Sequence, residues 1–268
     1  MTGFKKTMFR SKLATAVMAL ALSASVQITP VLASEGVELK HQEWSFEGIF
    51  GTYDRGALQR GYQVYTEVCS ACHSLSLLSY RNLSQPGGPE FTKEQVKVLA
   101  AEVEVEADPD EEGEVKMRPG LASDKFVSPY ANENAARAAN GGALPPDLSL
   151  IIKARKNGAN YLYSLMTGYE EEAPAGFDLR EGMNFNHFFP GNQIGMPAPI
   201  ADEGVEYSDG TKPTVENQAR DIVTFLTWAS EPHMEARKTL GFKVLLYLII
   251  LSGLLYATTR KMWSGTKH

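Results

Sequence analysis

Cysteine is almost absent: Cys69 and Cys72 are the only two in 268 residues. That scarcity excludes a disulfide scaffold and a zinc site built on two cysteine pairs. A disulfide between these two would span only two intervening residues and staple almost nothing. An excess of basic charge is also missing. Lys and Arg number 26 against 32 Asp and Glu, a formal net charge of −6, which argues against nucleic acid as a partner. Alternating strand patterns are scarce too, so the βαβ setting of a thioredoxin-like redox pair is lacking. Long apolar runs occur only at the two ends. What remains, 43% apolar and 22% charged, fits a folded and mostly helical chain.

Both ends read as membrane-related. Lys5, Lys6, Arg10 and Lys12 precede the apolar run Leu13 to Val26, and Val31-Leu32-Ala33 supplies small residues at a cleavage site. This is the order of a secretory signal, expected to span 1–33. Its removal would leave 22 basic against 32 acidic residues, a net of −10. Near the other end, Phe242 to Thr259 is an apolar stretch of about 18 residues, or about 27 Å of helix. It is expected to be a membrane anchor (236–262 with its flanks), followed by a cytoplasmic tail at 263–268. Basic residues flank it nearly equally on both sides, so orientation follows from the signal, which exports 34–235. The expected location is a bacterial inner membrane, single-pass, with the domain on the periplasmic side.

Cys69-Ser70-Ala71-Cys72-His73 carries the chemistry. Two thiols three positions apart on a helical turn point the same way and suit the two vinyl groups of a haem. The next residue, His73, is then carried beneath the ring, where its imidazole reaches iron. One covalently bound haem c is the expected cofactor.

The sixth iron position decides between electron transfer and open-site chemistry. Candidates are Met117, Met166, Met183, Met196 and Met234, with His41, His187 and His233 as imidazole alternatives. Met196 is favoured because it sits in the Gly/Pro-rich loop Pro190 to Pro199, which suits neither helix nor central strand. Met183 and His187 follow. An open iron would instead point to a haem enzyme or sensor.

Helical patterns cover Asp54 to Val68, with Leu58, Gly61, Tyr62, Tyr65 and Val68 on one stripe whose glycine permits a close helix crossing. A capping box at Thr92 to Gln95 opens a second helix. Others are expected from Asn132 to Asn140, from Pro145 to Lys156 with a stop at Asn157-Gly158, and from Thr214 to Ser230. Glu102 to Glu114 holds eight carboxylates and no basic residue. Such a run is ordinarily a solvated loop; its functional reading is an electrostatic lure for a basic partner.

With these pieces placed, the chain resembles the cytochrome c1 family, the haem c subunits of the ubiquinol–cytochrome c oxidoreductase (cytochrome bc1) complex. Beside the cysteine motif, the blocks that carry the resemblance are Met117 to Gly120, Ala135 to Leu148 (AARAANGGALPPDL), Leu165 to Tyr169, Phe188 to Gly191, Gly195 to Ile200 and Tyr207 to Thr211. The resemblance implies a class I cytochrome c-like haem domain, mostly α with long loops, plus one C-terminal transmembrane helix. It implies His73 and Met196 as axial ligands, Asn140, Pro145 and Pro146 against the haem, and Arg155 and Tyr161 near its propionates. It further implies an electron carrier rather than an enzyme in isolation. One electron would come from a Rieske iron–sulfur protein and pass to a basic cytochrome c, with cytochrome b beside the anchor. The alternative is a c-type subunit of a terminal oxidase. Where some relatives read Gly-Met-Ala-Pro-Pro, this chain reads Gly195-Met196-Pro197-Ala198-Pro199, and it lacks the extra cysteine pair of some bacterial relatives.

Overall fold

A computed structural model describes residues 37–265. The chain divides after Glu38, and among the described residues every helix and strand belongs to the unit beginning at Leu39. The expected signal segment lies outside the described residues.

Asp54 starts the first helix, its carboxylate accepting the Ala57 N–H at 3.0 Å, and α1 runs Arg55–Val64. Leu58, Gly61, Tyr62 and Tyr65 are buried, as their spacing predicts. The helix does not continue as α to Val68. It widens into a π turn at Tyr65–Cys69, closed by the Ser70 N–H on the Tyr65 carbonyl at 2.8 Å. A 3-10 turn follows at Tyr80–Ser84. Helix α2, Lys93–Ala101, opens with the reciprocal Thr92 and Gln95 cap that the sequence signals. The acidic run then forms part of a small antiparallel hairpin, β1 (Glu104–Glu106) on β2 (Met117–Pro119). Helix α3 spans Glu133–Ala139 and α4 spans Gly158–Met166. A second hairpin pairs β3 (Asn184–Phe185) with β4 (Gln193–Ile194). Helices α5 (Val215–Ser230) and α6 (Met234–Trp263) complete the order.

The core forms where α1 crosses α5. A Cβ on Gly61 would lie 2.1 Å from the Asp221 carbonyl oxygen and 2.7 Å from the Phe225 Cβ, so only glycine lets the backbones meet there. Beside the crossing, Arg60 binds Asp221 in a fork, Nε to Oδ2 at 2.7 Å and Nη2 to Oδ1 at 2.9 Å. Aromatic rings fill the layer: Phe225 lies 5.8 Å from Tyr62 and 5.5 Å from Trp228, and Phe126 stacks on Tyr80 at 4.6 Å. Burying each such ring contributes about 1.5–3 kcal/mol.

The helix expected from Pro145 to Lys156 does not form. Residues 148–157 run through consecutive bends and turns, and Asn157-Gly158 starts α4 instead of ending a helix. Asn157 adopts φ 53°, ψ 46° as the N-cap. A Cβ on Gly158 would lie 1.8 Å from the Ile152 carbonyl oxygen. The segment is held by the 70s loop: the Leu148 N–H donates to the Ser74 carbonyl at 2.9 Å, and Asp147 Oδ2 accepts from the Ser74 hydroxyl and the Ser76 N–H.

Helix α6 is continuous for 30 residues, about 45 Å. It is long and apolar enough to cross a membrane, and its apolar stretch is not buried against the domain. Its first two turns precede the apolar span and belong to the domain. Met234 is buried, and Glu235 binds Arg55 through both carboxylate oxygens at 2.8 Å.

Candidate haem-binding site

The π turn that ends α1 delivers the cysteine motif. Cys69 closes that turn; the Cys72 N–H donates to the Cys69 carbonyl at 3.1 Å and the His73 N–H to the same oxygen at 2.9 Å. Cys69 and Cys72 therefore flank a single tight turn that His73 completes. Both cysteines are free and partly buried. Burial pushes the Cys69 thiol up to about 12, helped by neighbouring Cys72, so it is a neutral thiol rather than a reactive thiolate. Among the described residues no three His, Cys, Asp or Glu side chains converge as a metal site.

His73 is oriented by one bond. Its Nδ1 lies 2.7 Å from the Pro146 carbonyl oxygen. A carbonyl only accepts, so Nδ1 carries the proton and Nε2 keeps its lone pair for a metal. Burial lowers the His73 pKa, against smaller opposing effects of the Pro146 carbonyl and Asp147, which favours the neutral imidazole that coordination needs. The Tyr65 hydroxyl donates to the His73 carbonyl at 3.1 Å and pins the backbone.

Asp147 fastens the same two segments. Its Oδ2 accepts from the Ser74 hydroxyl at 2.8 Å and the Ser76 N–H at 2.9 Å, and its Oδ1 from the Ser149 N–H at 2.8 Å. Partial burial pushes this carboxyl up, but the bonds from Ser149, Ser76 and Ser74 outweigh it and hold it at about 2. Neither Asp147 nor its serines stood out in the sequence. The available signal was Pro145-Pro146-Asp147: two residues without an N–H, leaving free carbonyls, then a carboxylate suited to a turn.

The methionine loop approaches the segment that leads to Pro146. Gly195, beside Met196, is positioned so that a Cβ on it would lie 3.6 Å from the Ala143 Cβ and 4.0 Å from the Met183 Sδ. Ala143 stands three residues before Pro146, so one short loop touches both the His73 partner and the neighbour of Met196. Met196 is partly buried against the core, and the Tyr169 hydroxyl donates to its carbonyl at 3.2 Å.

The other candidates fare differently. Met183 lies beside the Met196 loop. His187 gives its Nε2 to Glu170 at 2.6 Å. Met166 packs against the core, Met234 is buried at the head of α6, and Met117 is exposed on β2. His41 Nδ1 faces the Asn160 amide at 3.4 Å, and His233 is the residue before α6.

Asn140 ends α3 and its amide donates to the Ala136 carbonyl at 2.7 Å and the Tyr130 hydroxyl at 3.0 Å. Pro145 is half-buried. Arg155 is exposed, donates to the Ala154 carbonyl at 3.1 Å and makes no ion pair among the described residues. Tyr161 sits in the first turn of α4, half-buried and close enough to Tyr169 to raise its pKa.

Comparison with known proteins identifies the family. The sequence model described as the cytochrome C1 family matches residues 44–266. The chain is 45% identical to the cytochrome c1 of Rhodospirillum rubrum, covering 98% of this chain and 99% of that one. It is 50% identical to a mitochondrial cytochrome c1 heme protein of Arabidopsis thaliana, over 92% of this chain and 79% of the other. It is also 46% identical to the cytochrome b/c1 of Bradyrhizobium diazoefficiens over 84% of its own length, spanning only 35% of that longer protein. The chain belongs to the cytochrome c1 family.

Proposed function

We propose that this chain is the membrane-anchored haem c subunit of a ubiquinol–cytochrome c oxidoreductase, taking one electron from a Rieske iron–sulfur protein and passing it to a basic cytochrome c. The observation that carries the reading is the 2.7 Å contact between His73 Nδ1 and the Pro146 carbonyl. It leaves Nε2 as the free ligand beside two thiols on one turn. Mitochondrial relatives matched over most of this chain are named heme proteins, and the donor set here fits that group.

In this reading Cys69 and Cys72 would hold the haem covalently, and His73 and Met196 would be its iron ligands. Bound haem supplies a one-electron iron couple, so the chain needs no acid, base or nucleophile. Asn140, Pro145 and Pro146 would help to hold the haem, while Arg155 and Tyr161 would bind its carboxylates, which an Arg fork matches. The domain stands on the periplasmic side of a bacterial inner membrane after removal of residues 1–33. Helix α6 packs beside cytochrome b, and the exposed acidic hairpin attracts the basic acceptor.

Acid–acetone extraction of the purified chain tests the core of this proposal. Colour retained with the polypeptide, and lost from a Cys69→Ala, Cys72→Ala double variant, is the expected result. Extraction of all pigment from the unvaried chain would defeat covalent attachment. Purification from membranes should bring a di-haem cytochrome b and a Rieske protein; an oxidase core in their place would redirect the assignment.

A further inference from the structure

Residues 45–52 form a tight loop next to α6. The Thr52 N–H donates to the Ser45 carbonyl at 3.0 Å and the Glu47 N–H to the Trp44 carbonyl at 3.1 Å. Trp44 and Phe46 turn inward, stacked at 5.3 Å and buried. Ile49 and Phe50 turn outward and are 72% and 78% exposed. A soluble surface gains nothing from two adjacent bare apolar side chains at a loop tip.

The loop cannot move independently of the helix. Lys238 Nζ donates to the Phe46 carbonyl at 2.7 Å and the Gly51 carbonyl at 3.2 Å. Three residues earlier on α6, Glu235 accepts the Tyr53 N–H at 2.8 Å. One turn further along, Phe242 meets Phe50 edge to face, ring centroids 5.8 Å apart. Phe242 is the first residue of the apolar span. Phe50 therefore sits at the depth where α6 enters the membrane, with the exposed lysine Lys243 at the same level. Aromatic rings and lysines are favoured at that depth, the ring among upper acyl chains and the ammonium among phosphates.

We infer that the Ile49–Phe50 loop is a second membrane contact, inserted into the headgroup region of the outer leaflet beside α6. The occupant of this surface is lipid, because it is continuous with the exposed apolar surface of the span at Phe242, Leu245 and Leu246. A single helix leaves a domain free to tilt and swivel; a rigid second contact restricts both. The inference rests on α6 as the membrane span and not on the haem chemistry.

Nitroxide labelling at Phe50→Cys tests it, with the full chain in its assembled membrane complex in phosphatidylcholine–phosphatidylglycerol vesicles. References are a lipid-facing label at Leu245→Cys and an aqueous one at Glu111→Cys. The ratio of collision with oxygen to collision with a water-soluble nickel chelate should be several-fold higher at position 50 than at 111, approaching that at 245. A ratio like that at 111 means water and overturns the inference. Protection from both reagents means a protein partner covers the loop and also overturns it. Ile49→Cys repeats the measurement should the Phe50 variant fail to assemble. Label taken up by the unvaried chain is subtracted and counts only against thioether formation at Cys69 and Cys72, so the two readings fail separately.

Discussion

Tyr169 donates its hydroxyl to the Met196 carbonyl at 3.2 Å, joining positions 27 residues apart. Burial, aided by Tyr161, pushes the Tyr169 phenol well above its ordinary value, so it remains a donor at any physiological pH. The bond holds the methionine backbone and leaves the thioether free to point elsewhere. Tyr169→Phe is expected to cost about 1 kcal/mol, lowering Tm by about 2–4 °C for a domain of this size. It should also weaken the red-edge absorption band of methionine-ligated ferric haem. An unchanged band with lowered stability would limit Tyr169 to a structural role.

Met196→Leu removes the proposed thioether ligand while keeping an apolar side chain of similar volume. The expected result is a clear fall in midpoint potential with haem still attached, and carbon monoxide binding to the vacated position. A redox titration checks it. An unaltered potential would move the assignment to Met183, which lies beside the same loop.

Asp147 gives a pH signature. Its carboxyl is held at about 2, against 3.8 for the free group. A depressed carboxylate contributes its full stability above the unfolded value and loses it as pH falls through the folded one. Being partly exposed, the group is worth about 1–2 kcal/mol after solvent screening. Asp147→Asn should therefore destabilise the domain by about that much at pH 7, with the gap closing between about pH 4 and pH 2. Denaturant unfolding at stepped pH measures it; a constant gap would show that Asp147 acts through its shape alone.

Gly61→Ala should be severe. The added Cβ would lie 2.1 Å from a backbone oxygen on α5 that has no rotamer to move away. A loss of about 3 kcal/mol is expected from such overpacking, read by thermal unfolding. Stability within about 0.5 kcal/mol of the unvaried chain would mean that α1 and α5 separate easily.

Glu104, Glu106, Glu111, Glu112 and Glu114 are all exposed, whereas Asp110 is engaged by Lys116 at 2.6 Å. Replacing the five glutamates by glutamine should slow association with a basic cytochrome c by about tenfold or more at low salt and flatten its salt dependence. Stopped-flow mixing across ionic strength decides it. An unchanged rate would leave the run as a solvated hairpin.

Much of this was legible in the sequence because it depends on local chemistry. The Thr92 capping box, the helix starts at Asp54 and Thr214, the stripe on α1 and the glycine at its crossing all follow from short-range spacing. The π turn was not legible, since a run of helical residues says nothing about one widened turn. The expected helix after Pro145 failed for a related reason. Its propensity was adequate, but contacts to residues some 70 positions earlier outweighed it.

Sequence by itself determined the Cys69–His73 motif, the acidic balance and the apolar span, because each is a matter of residue type at fixed spacing. Tertiary structure alone decided which carbonyl holds His73, which phenol holds Met196 and which loop stands beside the entry point of α6. Those pairings join residues 73, 27 and about 190 positions apart. At such separations only the closing of the chain around its core selects the partner.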